Sequence, residues 1–393
     1  MKYKLATDSW DKKEYQAIDK VIKSGNFTMG KNVERFENKC ASFFNSNHCL
    51  MVNSGSSANL LMIAALFFKK SRPLKRGDEV IVPAVSWSTT YAPLQQYGLK
   101  VKFVDINKDT LNFCLKDLEN AISSKTKLIL SVNLLGNSND FISINKLINK
   151  RKIYLLEDNC ESLGAKFDNK FTGTFGLMGT FSSFFSHHIS TMEGGFVLTN
   201  NQELYHIMLS LRAHGWTRNL PDSNMLTGKK SDDLFEESFK FILPGYNLRP
   251  LELSGAIGLE QIKKINSIIK NRRKNAKIFI SIINKFDWIN CQKEIGESSW
   301  FGFALILAKH INRKNLLDFL RSNDIETRPI VTGNFIKNKK LLNYFDYSIN
   351  SNLKNSNYID KNGFFIGNNH EDLSKPLARL EKILLEFQKK YKL

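Results

Sequence analysis

The chain has 393 residues, 42% of them hydrophobic and 11% aromatic. That is enough for one large unit, a smaller companion and a substantial buried core, and it excludes a disordered or fibrous protein. The formal charge of +19 does not establish a nucleic-acid binder, because Lys and Arg are spread along the whole chain. No helix-turn-helix, zinc-finger or RNA-recognition signature gathers them, and the expectation is no nucleic-acid partner.

The N-terminal MKYKLATDSWDKK carries no apolar stretch of signal-peptide type. DSWDKKEYQAIDKVIKSG predicts a helix with Asp8 and Ser9 as cap residues and Gly25 as the stop. NSGSSANLLMIAALFF reads as a Gly/Ser turn running into a helix. Its apolar run from Ala58 to Phe68 is too short to span a bilayer, so it predicts a buried helix, no membrane partner and a cytoplasmic protein. DEVIVPAV, KVKFVDI, KLILSVNLLG and KIYLLEDN are short β-branched runs bounded by turn residues, the pattern of buried parallel strands. GTFSSFFS and GGFVLTN continue the sheet. Strands alternating with helices imply an α/β layered domain.

From about Leu251 the texture changes. A long helical stretch over 254–286 leads to a strand, WFGFALIL, and a helix, RKNLLDFLRSN. The expected division is residues 1–255 as the large α/β domain and 256–393 as a connecting helix with a small α+β domain. The five cysteines, Cys40, Cys49, Cys114, Cys160 and Cys291, show no C-x-C or C-x-x-C pair. They read as reduced thiols and speak against a disulfide framework or a thiolate-held iron-sulfur cluster.

Three stretches carry candidate chemistry. In NSGSSANLL, Gly55, Ser56 and Ser57 would present N–H groups and hydroxyls at a helix N-terminus, either as an anion site or as plain capping. In LLEDNCESLGA, Asp158 ends a buried strand and needs a cationic or N–H partner; a pyridinium nitrogen or a helix start would each serve. In PAVSWSTTYAPLQQYG, Trp87 either stacks on a flat ring or packs in the core.

The ordered set of these stretches, followed by Ser182 in TFSSFFS, the turn Glu193-Gly194-Gly195 and GYNLRPLELSGAIG, resembles the pyridoxal-phosphate (PLP) sugar aminotransferases. These are the nucleotide-sugar branch of the aspartate-aminotransferase-like fold, and the resemblance covers nearly the whole chain. It implies a fold-type-I large domain with a mostly parallel central sheet and a smaller C-terminal α+β domain. Gly55, Ser56, Ser57 and Ser182 would hold the cofactor phosphate. Trp87 would lie on the ring face and Asp158 on the ring nitrogen. Glu161 stands where the family usually has Gln or His. Asn247 would come from the neighbouring subunit of a homodimer with a shared active site. His214 and Arg249 would contact substrate, with surface salt bridging as their alternative.

One position departs from the aminotransferase pattern. Counting back from Glu193-Gly194-Gly195, the family's cofactor-attaching lysine falls on His187, and no lysine occurs between Lys170 and Lys229. The cofactor would then be held non-covalently, as PLP or pyridoxamine phosphate (PMP), with a neutral imidazole as the base. Lysine-to-histidine exchange marks the 3-dehydratase subgroup that makes 3,6-dideoxysugars. The resemblance implies GDP-4-keto-6-deoxy-D-mannose and L-glutamate as substrates and a hydro-lyase reaction. An ordinary aminotransferase and a catalytically inactive scaffold are the alternatives. His188 is expected to point away from His187, because side chains alternate along an extended segment. Adjacent histidines without a third ligand predict no metal site.

Overall fold

The computed structural model describes residues 2–393. Its central sheet has eight strands in the order His48–Val52, Gly195–Thr199, Met178–Ser182, Tyr154–Asp158, Thr126–Val132, Glu79–Pro83, Lys100–Val104 and Tyr347–Ile349. All run parallel except Gly195–Thr199, which is antiparallel to both neighbours. The mostly parallel α/β sheet is therefore as the sequence implies. Its inner strands are buried on both faces, which is why they read as continuous β-branched runs without alternation.

The helix Gly55–Phe67 explains the longest apolar run. It packs on Met178–Ser182 and Gly195–Thr199 and beside the helices Ser88–Gln96 and Gln202–Arg212. Leu61, Met62, Ile63, Ala64, Ala65 and Leu66 are all buried, so no polar face is required. No helix among the described residues is long and apolar enough to cross a membrane.

Local signals shifted by a few residues. The first helix, Lys12–Ser24, is capped by Asp11 and not by Asp8 or Ser9. The reciprocal bonds between Asp11 and Glu14 form a capping box, and two orphan N–H groups satisfied outweigh a single upstream hydroxyl. Gly25 ends it at φ 70°. The predicted long helix divides into Glu252–Gln261, a 3-10 turn at Ile262–Lys264, and Ile265–Ile283.

The second sheet is antiparallel, in the order Ile289–Cys291, Gly302–Leu307, Gly363–Gly367, Thr327–Arg328. Strand alternation divides its core in two. Phe303, Leu305 and Leu307 join Phe279, Ile283, Leu380 and Leu384 beneath the helices Ile265–Ile283 and Ser374–Tyr391. Ala304 and Ile306 turn the other way and meet Val132 at the end of a large-sheet strand and Val85, Ile106, Leu134 and Leu135 in the segments that follow the parallel strands. This contact brings Phe301, at the start of the strand, over the carboxyl ends of the parallel strands.

Candidate active site

The carboxyl ends of the strands Met178–Ser182, Tyr154–Asp158 and Glu79–Pro83 converge with the N-terminus of Gly55–Phe67, the crevice where α/β sheets bind ligands. Ser54 caps that helix, its hydroxyl accepting from Ser57 N at 3.1 Å. The Ser56 hydroxyl donates to Thr89 Oγ1 at 2.9 Å, tying the turn to the helix Ser88–Gln96. A Cβ on Gly55 would come within 2.7 Å of Ser182 Cβ, so the helix start and the strand end are in direct contact. Gly195 lies as close to Ser54, whose carbonyl carbon and oxygen would be 2.5 Å from an added Cβ. Gly195→Ala is expected to destabilise the fold by about 3 kcal/mol, read by urea unfolding, because backbone cannot yield as a side chain can.

Asp158 is 5% exposed. Its Oδ2 accepts from Asn59 Nδ2 at 2.8 Å and Thr90 Oγ1 at 2.7 Å, and its Oδ1 accepts from Cys160 N at 3.2 Å. Asn59 is oriented in turn by Thr180, whose hydroxyl donates to its Oδ1 at 2.6 Å. The residue before it, Glu157, went unnoticed in the sequence. Fully buried, it accepts from the backbone of Gly173, Phe175 and Gly176 and from Asn133, which anchors the strand end. Trp87 immediately precedes the helix that carries Thr89 and Thr90 and is 57% exposed, which removes the core-packing alternative.

Glu161 is half-buried beside this group. Burial pushes its carboxyl up to about 7; the Leu135 N–H, donating at 2.9 Å, opposes the rise and the charge of Asp158 adds to it. A carboxyl raised in the folded state keeps a proton that the unfolded chain has lost. Stability therefore falls as pH rises from roughly 4.3 to 7. Glu161→Gln, isosteric with the neutral acid, is expected to remove that slope. The cofactor-free variant should match wild type near pH 4 and exceed it by on the order of 3 kcal/mol near pH 8 in urea unfolding.

His187 and His188 lie in the loop 183–194, which joins Met178–Ser182 to Gly195–Thr199 as a hairpin. Backbone bonds from Ser183 N to Gly194 O, Thr191 N to Ser183 O and Phe185 N to Met192 O close it. Trp10 Nε1 donates to Ser190 O at 3.0 Å, and Ser190 N donates to Gln261 Oε1 at 3.0 Å, pinning the loop to the body. The histidine pair sits in turns and bends, not in an extended segment. Strand-like alternation therefore does not apply, and both rings meet Phe301, at centroid distances of 5.0 Å for His187 and 5.8 Å for His188.

The two imidazoles differ in what they have left to offer. His188 is 1% exposed, with Nε2 against Ser299 O at 3.1 Å. His187 is half-buried and neither ring nitrogen has a protein partner; its Nδ1 is buried. Burial first, and the Arg272 cation second, lower His187 to about 3 and His188 well below its ordinary value. Both rings are therefore neutral at physiological pH, each with one nitrogen lone pair.

Asn247, Arg249 and His214 form a different group. The Arg249 guanidinium donates from Nε to Asn247 Oδ1 at 3.0 Å and lies over the Trp216 ring at 5.7 Å; the His214 ring meets the same indole at 5.0 Å. They share no hydrogen bond or ring contact with His187 or Asp158 in this chain. Asn53 N nevertheless donates to Leu248 O at 3.0 Å, which brings their segment past the residue before Ser54. All five cysteines are free thiols, and no cluster of three His, Cys, Asp or Glu side chains suited to a metal occurs among the described residues.

The chain is 60% identical over 384 residues to a GDP-4-keto-6-deoxy-D-mannose 3-dehydratase of Yersinia pseudotuberculosis, covering 97% of this chain and 98% of that one. Two solved structures superpose with TM-scores of 0.96 and 0.95 at 58% identity, covering 97% and 96% of this chain and all of each of theirs. One is a GDP-4-keto-6-deoxymannose-3-dehydratase with a trapped PLP-glutamate geminal diamine. The other is ColD with an adjacent serine–histidine pair replaced by asparagine–lysine. Residues 8–370 match the family description as well, and the chain belongs to the DegT/DnrJ/EryC1/StrS aminotransferase family.

Proposed function

We propose that the chain is a PLP-dependent hydro-lyase that removes the C3 hydroxyl of GDP-4-keto-6-deoxy-D-mannose. L-Glutamate supplies the amino group, and the products are GDP-4-keto-3,6-dideoxy-D-mannose, ammonia and 2-oxoglutarate. The observation that carries this reading is His187 standing at the lysine position of an otherwise intact cofactor cradle. The replaced pair in the ColD variant is a serine followed by a histidine, and this chain has one such dipeptide, Ser186–His187. The balance closes: converting glutamate to 2-oxoglutarate and ammonia consumes water and gives up two electrons and two protons. Exchange of the C3 hydroxyl for hydrogen takes them up and returns water.

The residues present fit the cofactor. A buried carboxylate held by three donors suits a ring N–H cation, the capped helix start suits a phosphate, and the exposed Trp87 ring suits a flat heterocycle. In this reading Gly55, Ser56, Ser57 and Ser182 hold the phosphate. Asp158 keeps the ring nitrogen protonated, Trp87 covers one face and Glu161 lies at the ring edge. When bound, the cofactor would carry the amino group taken from glutamate to the C4 ketone and would act as a sink for the electron pair left when the proton beside that amine is removed, the pair that then expels hydroxide from C3. His187 takes the proton that must leave next to the amine and keeps it available for return. Histidine cannot attach the cofactor covalently; loss of the C3 hydroxyl leaves an enamine on the sugar, and its imine tautomer takes up water to give the ketone and ammonia.

The remaining assignments complete the reading. His214 and Arg249 meet substrate, and Asn247 serves the partner's site in a cytoplasmic homodimer, since these three share no contact with His187 in their own chain. The large domain ends near residue 255 and takes Tyr347–Ile349 back as an edge strand. The dideoxysugar would be colitose of lipopolysaccharide O-antigen. An absorbance spectrum of the protein with PLP, before and after L-glutamate, tests the cofactor half. Loss of the aldehyde band with formation of 2-oxoglutarate, and no cofactor fixed to the chain by borohydride, are expected. Borohydride fixation to a lysine refutes the non-covalent site, and failure to bind PLP leaves the inactive-scaffold alternative standing.

A further inference from the structure

Arg272 lies on the helix Ile265–Ile283, outside every motif that pointed to the site. It is 3% exposed and forms no ion pair among the described residues. Its Nη1 donates to the carbonyls of Trp300 at 3.3 Å, Phe301 at 3.0 Å and Asn368 at 2.8 Å, while Nε has no partner. A buried cation without a carboxylate is costly, so its presence calls for a reason. Burial lowers the guanidinium to about 9, which leaves it charged at neutral pH.

The carbonyls it holds belong to a constrained segment. Trp300 has φ 49°, in the left-handed region. Ser299 N and Phe301 N donate to Gly136 O and Leu135 O at 2.9 and 3.1 Å, and a Cβ on Gly136 would lie 2.4 Å from Trp300 N. Asn368 Nδ2 donates to Trp300 O at 2.8 Å and to Arg272 O at 3.2 Å, closing the clamp. The same segment supplies the Phe301 ring that touches both imidazoles and the Ser299 carbonyl that meets His188.

We infer that Arg272 is a positioning residue for His187: a buried cation without a counter-anion that fixes the Trp300–Phe301 backbone against both imidazoles and opposes their protonation. The inference rests on His187 acting as the base. The other charged or titratable groups nearby do not offset it. His188 is itself held neutral, and the segment 298–301 carries no ionisable side chain. Glu297 is paired with Arg273. His370, with Glu371, Asp8 and Lys264 around it, feels the same arginine and is lowered as well. An aspartate in place of Arg272 would favour an imidazolium, which has no lone pair for the proton.

The test compares wild type, Arg272→Gln and Arg272→Lys as full-length PLP-loaded protein. The His187 imidazole is followed by NMR from pH 2 to pH 8 and assigned by its absence in His187→Asn. Arg272→Gln is expected to raise the His187 midpoint by about one unit or more, tenfold in proton affinity, and to move the acid limb of ammonia release with it. Arg272→Lys, which keeps the charge but cannot reach three carbonyls, should lower the rate with the midpoint unmoved. If Arg272→Gln does not fold, the Lys variant decides, and a risen midpoint there overturns the proposal. A His187 that titrates identically in wild type and Arg272→Gln, or stays neutral in both, also overturns it; rate loss alone would make Arg272 merely structural. Full ammonia release by His187→Asn would instead refute His187 as the base.

Discussion

His187→Asn is expected to lower ammonia release about 1000-fold while leaving PLP bound, because a positioned base contributes 10²–10⁴ to such a step. Asparagine matches much of the imidazole's volume and leaves the Phe301 contact largely filled, so the loss measures proton transfer and not collapse of the loop. His188 offers no easy substitute. Its Nε2 is committed to Ser299 O and its ring is 1% exposed, so reaching the site would require unpicking a buried contact. The loop itself is held independently of either ring by the bonds among Ser183, Thr191 and Gly194 and by Trp10 and Gln261. Steady-state ammonia assays with saturating glutamate give the number. A loss of less than tenfold would move the base to another residue.

The second large effect is expected at Asp158. Its carboxylate is satisfied by Asn59, Thr90 and Cys160, all donors, and the remaining demand on it is a cationic ring nitrogen. Asp158→Asn removes the charge and turns an amide N–H₂ toward groups that can only donate or must reorient. Removing one partner of a buried charged pair costs about 3–5 kcal/mol. PLP retention should therefore weaken by at least about 100-fold, with turnover falling further because an unprotonated ring is a poorer electron sink. Absorbance titration of PLP into the variant checks the first part. Retention within a few-fold of wild type would show that Asp158 is only a structural carboxylate.

What the sequence made legible follows physical range. Gly55-Ser56-Ser57, Asp158 and Ser182 lie at the ends of regular elements, where residue type and position jointly report the backbone's needs. The apolar run after Ala58 likewise announced a helix buried on all sides. The segment around Phe301 was not legible. It reaches the histidines only because Ala304 and Ile306 face the large sheet, a tertiary contact with no local signature. Arg272 looked like one cation among many on a basic helix; its burial depends on Trp300, Phe301 and Asn368, far along the chain. The relative orientation of His187 and His188 was not legible either, because alternation belongs to a strand and the pair lies in a hairpin loop. Asp8 and Ser9 are cap-type residues, yet Asp11 and Glu14 make the better reciprocal pair. The edge strand His48–Val52 was not legible because HCLMV holds a single β-branched residue.

The most direct test of the account is the stoichiometry of products from GDP-4-keto-6-deoxy-D-mannose with saturating L-glutamate and purified, PLP-loaded protein. The account predicts ammonia, 2-oxoglutarate and a GDP-linked 3-deoxy ketosugar with no amino group on the sugar ring in equal amounts, over many turnovers per cofactor. A stable amino sugar formed with 2-oxoglutarate but without ammonia would contradict it, and would make the chain an aminotransferase despite the histidine at position 187.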